Sequence, residues 1–154
     1  SKPGQLTLNT GLSSLHTSAV TRSLGSDTIL VEGGVSQPNP QIKSLMRWQG
    51  RVRVLPEGGR VQVVHDGKAH SLRIEQADAV TILLVGATNY VNWNDITANP
   101  DTRCADYIRG VSGRTYAELR QRHLDDYRPL FAACQLDLGT NEAALDDTTS
   151  RMDR

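Results

Sequence analysis

The chain has no excess of charge of either sign. Its 154 residues carry 17 Lys and Arg and 17 Asp and Glu, so the formal net charge is zero. Binding to nucleic acid or to an anionic membrane surface uses clustered positive charge, so we expect neither partner. No stretch reaches the roughly 20 apolar residues that a membrane-spanning helix needs. The chain opens at Ser1 without a signal sequence, and we expect a piece of a longer polypeptide, which leaves the compartment unassigned.

Cysteine is scarce, and the two that occur, Cys104 and Cys134, fit neither a metal site nor a redox motif. We expect two small, partly buried side chains. The familiar catalytic motifs are missing as well. Gly110–Gly113 is one residue short of a nucleophile elbow, and Gly58-Gly59 lacks the spacing of a phosphate loop. No pair of carboxylates of the glycosidase kind stands out. The residues therefore predict no catalytic residue, no metal and no cofactor.

The first half of the chain shows the pattern of short strands. Apolar and polar side chains alternate, and turn residues separate the segments without an intervening helix, which favours an antiparallel sandwich. The predicted strands are residues 6–13, 17–24, 28–32, 47–54, 61–65, 71–75 and 79–86. Gly25 to Asp27 and Asp66-Gly67 are predicted hairpin turns, and Gly33 to Ser44 is a predicted loop.

Two of these strands carry specific expectations. In the fourth, Arg47, Gln49, Arg51 and Arg53 share one face. A solvated face of long side chains is the expected explanation, and a basic ligand-binding stripe is the alternative. The segment Val80 to Val85 has a single hydroxyl and predicts a strand covered on both faces at the centre of the core.

The segment after this strand is the first functional candidate. Tyr90, Trp93 and Asp95 stand among four asparagines, which are Asn89, Asn92, Asn94 and Asn99. Aromatic and amide side chains are typical of carbohydrate or partner contacts, although loop-capping asparagines give the same pattern.

Two helices are predicted next. Asn99 can cap a helix that begins at Pro100 and ends near Val111. Thr115 with Glu118 forms a capping box for the second helix, and Pro129 predicts that this helix is kinked or restarts. An aromatic-rich stripe on the second helix indicates packing against another element. Residues 135–138 predict a short returning strand, and a polar linker follows.

Three segments resemble the N-terminal domain of glycoside hydrolase family 95 in order and spacing. They are Leu55–Gly59, Ala77–Asp95 and Thr115–Gly139, and the most specific part is His123, Asp126, Tyr127, Leu130 and Phe131 followed by Leu136–Gly139. The family contains α-L-fucosidases and related α-L-galactosidases, whose N-terminal β-sandwich is joined by a helical linker to an (α/α)6 catalytic barrel. The resemblance covers nearly the whole chain.

The resemblance implies that the catalytic barrel of the same polypeptide is the partner of this chain. The family's catalytic residues belong to the barrel, so the resemblance assigns no catalytic residue to this chain. Carbohydrate is a further possible partner. On this view Tyr90, Trp93 and Asp95 are domain-interface or sugar-proximal residues, and His123, Asp126, Tyr127 and Phe131 pack the linker. A periplasmic or extracellular location follows from the resemblance alone.

The sequence as a whole predicts an α+β fold, in which a supersandwich-like portion of an antiparallel β-sandwich is followed by two linker helices. The expected divisions are a sandwich portion over residues 1–97, a helical linker over 98–139 and a polar linker over 140–154. The predicted function is that of a non-catalytic domain fragment of a glycoside hydrolase. The alternative is a free-standing carbohydrate-binding β-sandwich module, which requires a closed two-sheet core.

Overall fold

A computed structural model describes residues 3–35, 44–67, 69–137 and 139–152. The elements are β1 (Leu6–Gly11), β2 (Val20–Leu24), β3 (Thr28–Gly34), β4 (Arg47–Glu57), β5 (Arg60–His65), β6 (His70–Ala77), β7 (Ala79–Thr88), α1 (Pro100–Val111), α2 (Tyr116–Ala132), a 3-10 helix (Glu142–Leu145) and α3 (Thr148–Met152). Contacts divide the chain into two units, Ser1–Gly113 and Arg114–Arg154. All seven strands and α1 belong to the first unit.

The strands form two antiparallel sheets. One has the order β1-β6-β5, and the other has the order β2-β3-β4-β7. Leu24 pairs with Thr28 and His65 pairs with His70, so both predicted hairpins are present. The predicted fold class, an α+β antiparallel sandwich followed by helices, is confirmed. The division at residue 97 stays a prediction, and α1 packs on β4 and β7 within the first unit.

The core lies between the two sheets. Its buried side chains are Ile29, Val52, Val54, Leu72, Ile74 and Ala77. In β4 and β6 the pairs Val52 and Val54, and Leu72 and Ile74, occupy alternate positions, because successive side chains of a strand point to opposite faces of its sheet. Ala77 lies three residues after Ile74, where the β1–β6 register shifts. Leu8 and Leu12, from the first predicted strand, are partly buried and pack against this cluster.

The prediction that Val80 to Val85 forms the centre of the core is wrong. Strand β7 is the last strand of its sheet, with β4 as its neighbour among the described strands. Ile82 is 47% exposed and Leu84 is 68% exposed. The three-stranded sheet packs against β2, β3 and β4, and its contacts with β7 are weaker than its contacts with these three strands. Val80 packs against the core, and the inner face of β7 is open at Ile82 and Leu84.

The expectation of a solvated face on β4 is also wrong for two of its residues. Arg51 is only 7% exposed, and Gln49 is buried as well. Helix α1 lies on this side of the sheet and covers them, while Arg47 at the start of the strand remains exposed. The sequence pattern identified the residues that share the face, and the helix decided which of them lose contact with water.

Three smaller differences from the predictions concern where strands and helices begin and end. Gly33 and Gly34 belong to β3 and pair with Trp48 and Arg47, and residues 36–43 of the predicted loop lie outside the described residues. Pro129 lies inside α2, which continues to Ala132, because proline removes one helical hydrogen bond and the adjacent turns keep theirs. Residues 135–137 form no strand, and residue 138 lies outside the described part.

The predicted helix ends are confirmed. The Asn99 side chain accepts hydrogen bonds from the backbone of Asp101 and Thr102, and Pro100 is the first helical residue. Thr115 and Glu118 form the predicted capping box. The backbone and hydroxyl of Thr115 lower the pKa of the Glu118 carboxyl by donating hydrogen bonds to it. No helix within the described ranges is long and apolar enough to cross a bilayer.

A bulge in β6 explains why one glycine is required. The β1–β6 register shifts between Leu6 and Leu8, and Gln76 adopts a positive φ of 55°. Gly59, with φ +63°, lies against this bulge, and a Cβ atom at Gly59 would be 2.3 Å from the Glu75 carbonyl oxygen. Since the obstacle is backbone, it cannot move away as a flexible side chain would.

We expect Gly59→Ala to lower the free energy of unfolding by roughly 3 kcal/mol or more, because a left-handed conformation costs about 1–2 kcal/mol for a residue with a side chain and the clash adds to it. Gly25→Ala is the matched control, since Gly25 has φ +67° and a Cβ atom added there would meet nothing within 4 Å. The control should lose only about 1–2 kcal/mol. Equal losses in urea unfolding would contradict the steric explanation.

Candidate functional site

The loop between β7 and α1 is held by one buried amide. The Asn89 side chain is 2% exposed. Its oxygen accepts a hydrogen bond from the Arg47 backbone N–H at 2.8 Å, and its nitrogen donates to the carbonyl oxygens of Leu45 and Ile96, each at 3.0 Å. Asn89 thus joins the end of β7, the approach to β4 and the far side of the loop.

A tight turn forms the tip of this loop. The backbone N–H groups of Val91 and Asn92 donate to the Asp95 carbonyl oxygen, and the Asp95 N–H donates back to Asn92. The Asn92 side chain accepts a hydrogen bond from the backbone of Asn94. Since Asn89 and Asn99 also bond to backbone, loop capping accounts for three of the four asparagines.

Asp95 has a structural role in the same turn. Its carboxylate accepts hydrogen bonds from the Thr97 hydroxyl at 2.7 Å and the Thr97 backbone N–H at 2.9 Å. These two bonds, the hydroxyl first, lower the pKa of the Asp95 carboxyl, and the charge of Arg103 adds to the effect. A carboxylate that is ionised and already bonded is a poor general acid.

The two aromatic residues of the candidate set point to solvent. Trp93 is 87% exposed, and Tyr90 is about half exposed. The loop beneath them is fixed by Asn89 and by the Val91–Asp95 turn, so the exposure does not require a loose segment. Of the three predicted residues, Tyr90 and Trp93 are available for contact with a partner, whereas Asp95 supports the loop.

Arg103 is a residue of this site that the sequence did not indicate. It lies on α1, and its guanidinium donates from Nη1 to the carbonyl oxygens of Thr88 at 3.1 Å and Tyr90 at 2.6 Å. The helix therefore stabilises the point where β7 passes into the loop. An arginine in an exposed helix turn carries no signal of such a contact, because the contact depends on the position of the helix.

A network of hydrogen bonds and ion pairs, centred on the buried residues Gln49 and Arg51, connects α1 to the sheet. The Arg51 guanidinium donates to the Asp101 carboxylate at 2.7 Å, to the Asp101 carbonyl oxygen at 2.9 Å and to Gln49 at 2.7 Å. Gln49 in turn donates to Glu32 and Asp101, and Glu32 pairs with Arg22. Both carboxylates form ion pairs with arginines, so they help to join α1 and the neighbouring strands.

An open cavity of about 440 Å³ lies beside this network. Its lining includes Glu32, Arg47, Trp48, Asn99 and Asp101. Trp48 Nε1 is buried and has no hydrogen-bond partner among the described residues. The polar atoms of Glu32 and Asp101 are directed to the network, so the cavity does not present a set of free catalytic groups.

Helix α2, in the second unit, carries the other predicted set. His123 stacks on Tyr127 with ring centroids 5.5 Å apart, and Tyr127 stacks on Phe131 at 5.3 Å. These rings form the stripe that the spacing predicted, and Asp126 lies on the exposed surface beside them. No residue of α2 is buried. The role of the stripe in packing a linker stays a prediction.

The two cysteines lie in different environments. Cys104 is buried, its thiol donates to the Gln49 carbonyl oxygen at 3.5 Å, and burial raises its pKa, while Cys134 is exposed. Within the described ranges, no group of three or more His, Cys, Asp or Glu side chains could hold a metal ion. The loop of Tyr90 and Trp93 can therefore present an aromatic surface to a partner.

These features define a β-sandwich domain that displays an aromatic loop beside its covering helix. A sequence model of the glycosyl hydrolase family 65, N-terminal domain, matches residues 1–93. The chain therefore belongs to this family of glycosyl hydrolase N-terminal domains. No curated protein matched the chain.

The match confirms part of the resemblance found in the sequence. An N-terminal domain of a glycoside hydrolase was expected, and this is the type of domain that the match identifies. The family named by the match is family 65, and the match gives no support for family 95 in particular. The assignment to α-L-fucosidases is accordingly a separate proposal.

We expect Asn89→Asp to lower the free energy of unfolding by about 2–4 kcal/mol, because a carboxylate would face two carbonyl oxygens in place of a donating amide. Asn94→Asp is the isosteric control at an exposed position of the same loop. It should change stability by less than about 0.5 kcal/mol. A comparable loss for both variants in urea unfolding would show that Asn89 does not hold the loop.

We expect Thr97→Val to raise the pKa of Asp95 towards its ordinary value, because the hydroxyl that favours the ionised form is removed. Because the pKa of Asp95 is lower in the folded protein than in the unfolded chain, its ionised carboxylate stabilises the fold at pH values above the ordinary aspartate pKa. That contribution disappears as the pH falls through the lowered pKa. The ¹³C carboxyl titration of Asp95 by NMR measures the shift, with Thr102→Val as the control. An unchanged titration in Thr97→Val would refute the assignment.

Proposed function

We propose that this chain is a non-catalytic part of the N-terminal domain of a glycoside hydrolase, and that it holds the catalytic domain of the same polypeptide in position. The observation that carries the proposal is Trp93, a large apolar side chain that is 87% exposed on a loop with a fixed backbone. An aromatic residue on a rigid support binds a partner surface with little loss of conformational entropy.

The chemistry of the described carboxylates supports a structural role. Asp95 is bonded within its turn, and Asp101 and Glu32 are paired with arginines. A glycosidase needs one carboxylic acid that can donate a proton and a second carboxylate placed across the substrate. These three carboxylates hold the loop and the helix in place, so we assign them a structural role and place the reaction in another domain of the polypeptide.

The proposed activity of the whole polypeptide is that of an α-L-fucosidase or a related α-L-galactosidase. It rests on the resemblance of Ala77–Asp95 and Thr115–Gly139 to glycoside hydrolase family 95. The His123, Tyr127 and Phe131 stack supports a linker role for α2, since three rings at helical spacing form a surface that a neighbouring domain can cover.

The open inner face of β7 weighs against a free-standing carbohydrate-binding module. Such a module must bury its own apolar residues, yet Ile82 and Leu84 are exposed on the side that faces the core. Monomeric proteins rarely leave a continuous apolar face in water. A part of a larger domain has no such requirement, because other segments can complete the sandwich.

We expect Trp93→Ala in the full-length enzyme to lower the melting temperature by about 2–4 °C, which corresponds to about 1 kcal/mol of lost packing. The KM for a fucosylated oligosaccharide should stay within about twofold of wild type, since an interface residue does not bind the sugar. Differential scanning calorimetry and initial-rate kinetics measure the two effects.

Leu15→Ala is the control for this variant, because Leu15 is a fully exposed apolar residue away from the loop. It should leave both quantities unchanged. A raised KM with an unchanged melting temperature would identify Trp93 as a sugar contact instead. Absence of fucose release by the wild-type enzyme would remove the α-L-fucosidase assignment.

A further inference from the structure

The hairpin of β5 and β6 carries two histidines that lie directly opposite each other. His65 is the last residue of β5, His70 is the first residue of β6, and together they form the final residue pair before the turn. Their ring centroids are 4.4 Å apart, with an angle of 36° between the ring planes. The strand register therefore places two imidazoles in contact at one end of a sheet.

Backbone hydrogen bonds show what kind of residue pair this is. The Asp66 N–H donates to the Ala69 carbonyl oxygen, across the turn. The His70 N–H instead donates to the Thr21 hydroxyl, on a strand of the other sheet. Because hydrogen-bonded and non-hydrogen-bonded pairs alternate along an antiparallel ladder, His65 and His70 form a non-hydrogen-bonded pair. Opposite side chains are closest at such pairs, so the backbone holds both imidazoles within reach of one ligand.

One imidazole nitrogen of this pair has no hydrogen bond. His70 Nδ1 is buried and has no partner among the described residues. Buried polar atoms in folded proteins almost always have a partner, so an orphaned one calls for a group such as a water molecule or an ion. The unprotonated nitrogen of a neutral imidazole is a common metal ligand. An orphaned nitrogen beside a second imidazole therefore points to a metal ion.

The spacing of the two rings is close to what one ion requires. Zinc lies about 2.0–2.1 Å from an imidazole nitrogen, so a ligand angle of roughly 90–110° puts the centroids of two bound rings about 4.5–5 Å apart. The observed distance of 4.4 Å is near the lower end of that range. The ring torsion of histidine has broad energy minima. Both rings can therefore turn a nitrogen towards one ion without movement of the backbone.

The pair lies at the margin of the core and is partly open to water. Side chains two residues apart in a strand share a face, so His65 and His70 lie on the face of Val63 and Leu72. Leu72 is fully buried, and Val63 packs against the core. His65 itself is exposed, and His70 is half-buried. Water can therefore reach an ion from the His65 side and fill its remaining coordination positions.

The available ligands restrict the kind of ion. Imidazole nitrogens favour zinc, copper and nickel, whereas magnesium and calcium prefer oxygen ligands. The neighbouring Asp66 carboxylate accepts a hydrogen bond from the Ala69 N–H. In the part of the chain that the structure describes, no group of three or more metal-ligating side chains is assembled. A site of two histidines with water binds more weakly than a structural zinc site with four protein ligands.

We propose that His65 and His70 together bind one divalent ion of the zinc, nickel and copper class, with water in the remaining positions. The ion joins β5 to β6 and holds the end of the hairpin closed. The hydrogen bond between Asp66 and Ala69 is 3.3 Å long, so the turn gains most from this additional link. The site is separate from the loop of Tyr90 and Trp93, and it does not depend on the proposed function.

Isothermal titration calorimetry with Zn²⁺ tests the proposal on the full-length polypeptide, prepared without a histidine tag. Loss of an outer-shell partner already lowers metal affinity about 10–100-fold, so His65→Gln and His70→Gln should each lower the affinity of this site at least about tenfold. His123→Gln is the control, because His123 is an exposed histidine of α2, and it should leave the affinity unchanged. Equal affinity in the wild type and in both variants at positions 65 and 70 would overturn the proposal.

Hydrogen–deuterium exchange shows where the ion binds. In the wild type, Zn²⁺ should slow exchange of the Asp66 amide at least about tenfold, because this amide closes the turn. In His65→Gln the ion should have no effect on this amide. The β2–β3 hairpin contains no histidine, so its amides are the internal control.

An Asp66 amide that exchanges equally fast with and without Zn²⁺ in the wild type would show that the two rings only pack at the margin of the core, and it would overturn the proposal. Mg²⁺ at the same concentration should leave the exchange of this amide unchanged. His65→Gln alters an exposed side chain, so it keeps the comparison valid where His70→Gln is less stable.

Discussion

The ion pair between Arg51 and Asp101 is the interaction on which the first unit depends. An arginine side chain that is only 9% exposed would be several kcal/mol unfavourable without a partner, while its partner Asp101 lies near the surface. Asp101 lies in the first turn of α1, where Asn99 determines the start of the helix. The pair therefore places the N-terminus of α1 above β4. It also explains why Gln49, which bonds to both Arg51 and Asp101, is buried in spite of its polarity.

The position of α1 has consequences for the loop that precedes it. Once the helix lies on the sheet, Arg103 reaches the carbonyl oxygens at the end of β7, and Cys104 is buried against β4. The loop is then held at one end by Asn89 and at the other by Asn99. Trp93 stands on this fixed support. A preorganised aromatic side chain is well suited to bind a neighbouring domain.

The local features were predictable because they depend on residues close together in the chain. The Thr115 and Glu118 capping box, the Asn99 cap and the hairpin at Asp66-Gly67 each involve only a few consecutive residues. Alternation of side chains also indicated which residues share a face of each strand. At the candidate site the sequence identified the aromatic residues of the loop. It did not indicate Arg103, and it did not separate the structural Asp95 from Tyr90 and Trp93.

The sequence by itself determined the antiparallel strands, the turns between them and the helix ends, since periodicity and capping act over short distances. The type of domain followed from the resemblance to a family, not from these patterns. Only the tertiary structure decided what lies over each face. Arg51 is buried because a helix 50 residues further along the chain covers it. Ile82 and Leu84 are exposed because the three-stranded sheet packs on β2, β3 and β4 and extends little over β7. The alternation of side chains looks the same in β4 and in β7. It shows which side chains share a face of the sheet, and it contains no information about whether a helix, a second sheet or water lies over that face.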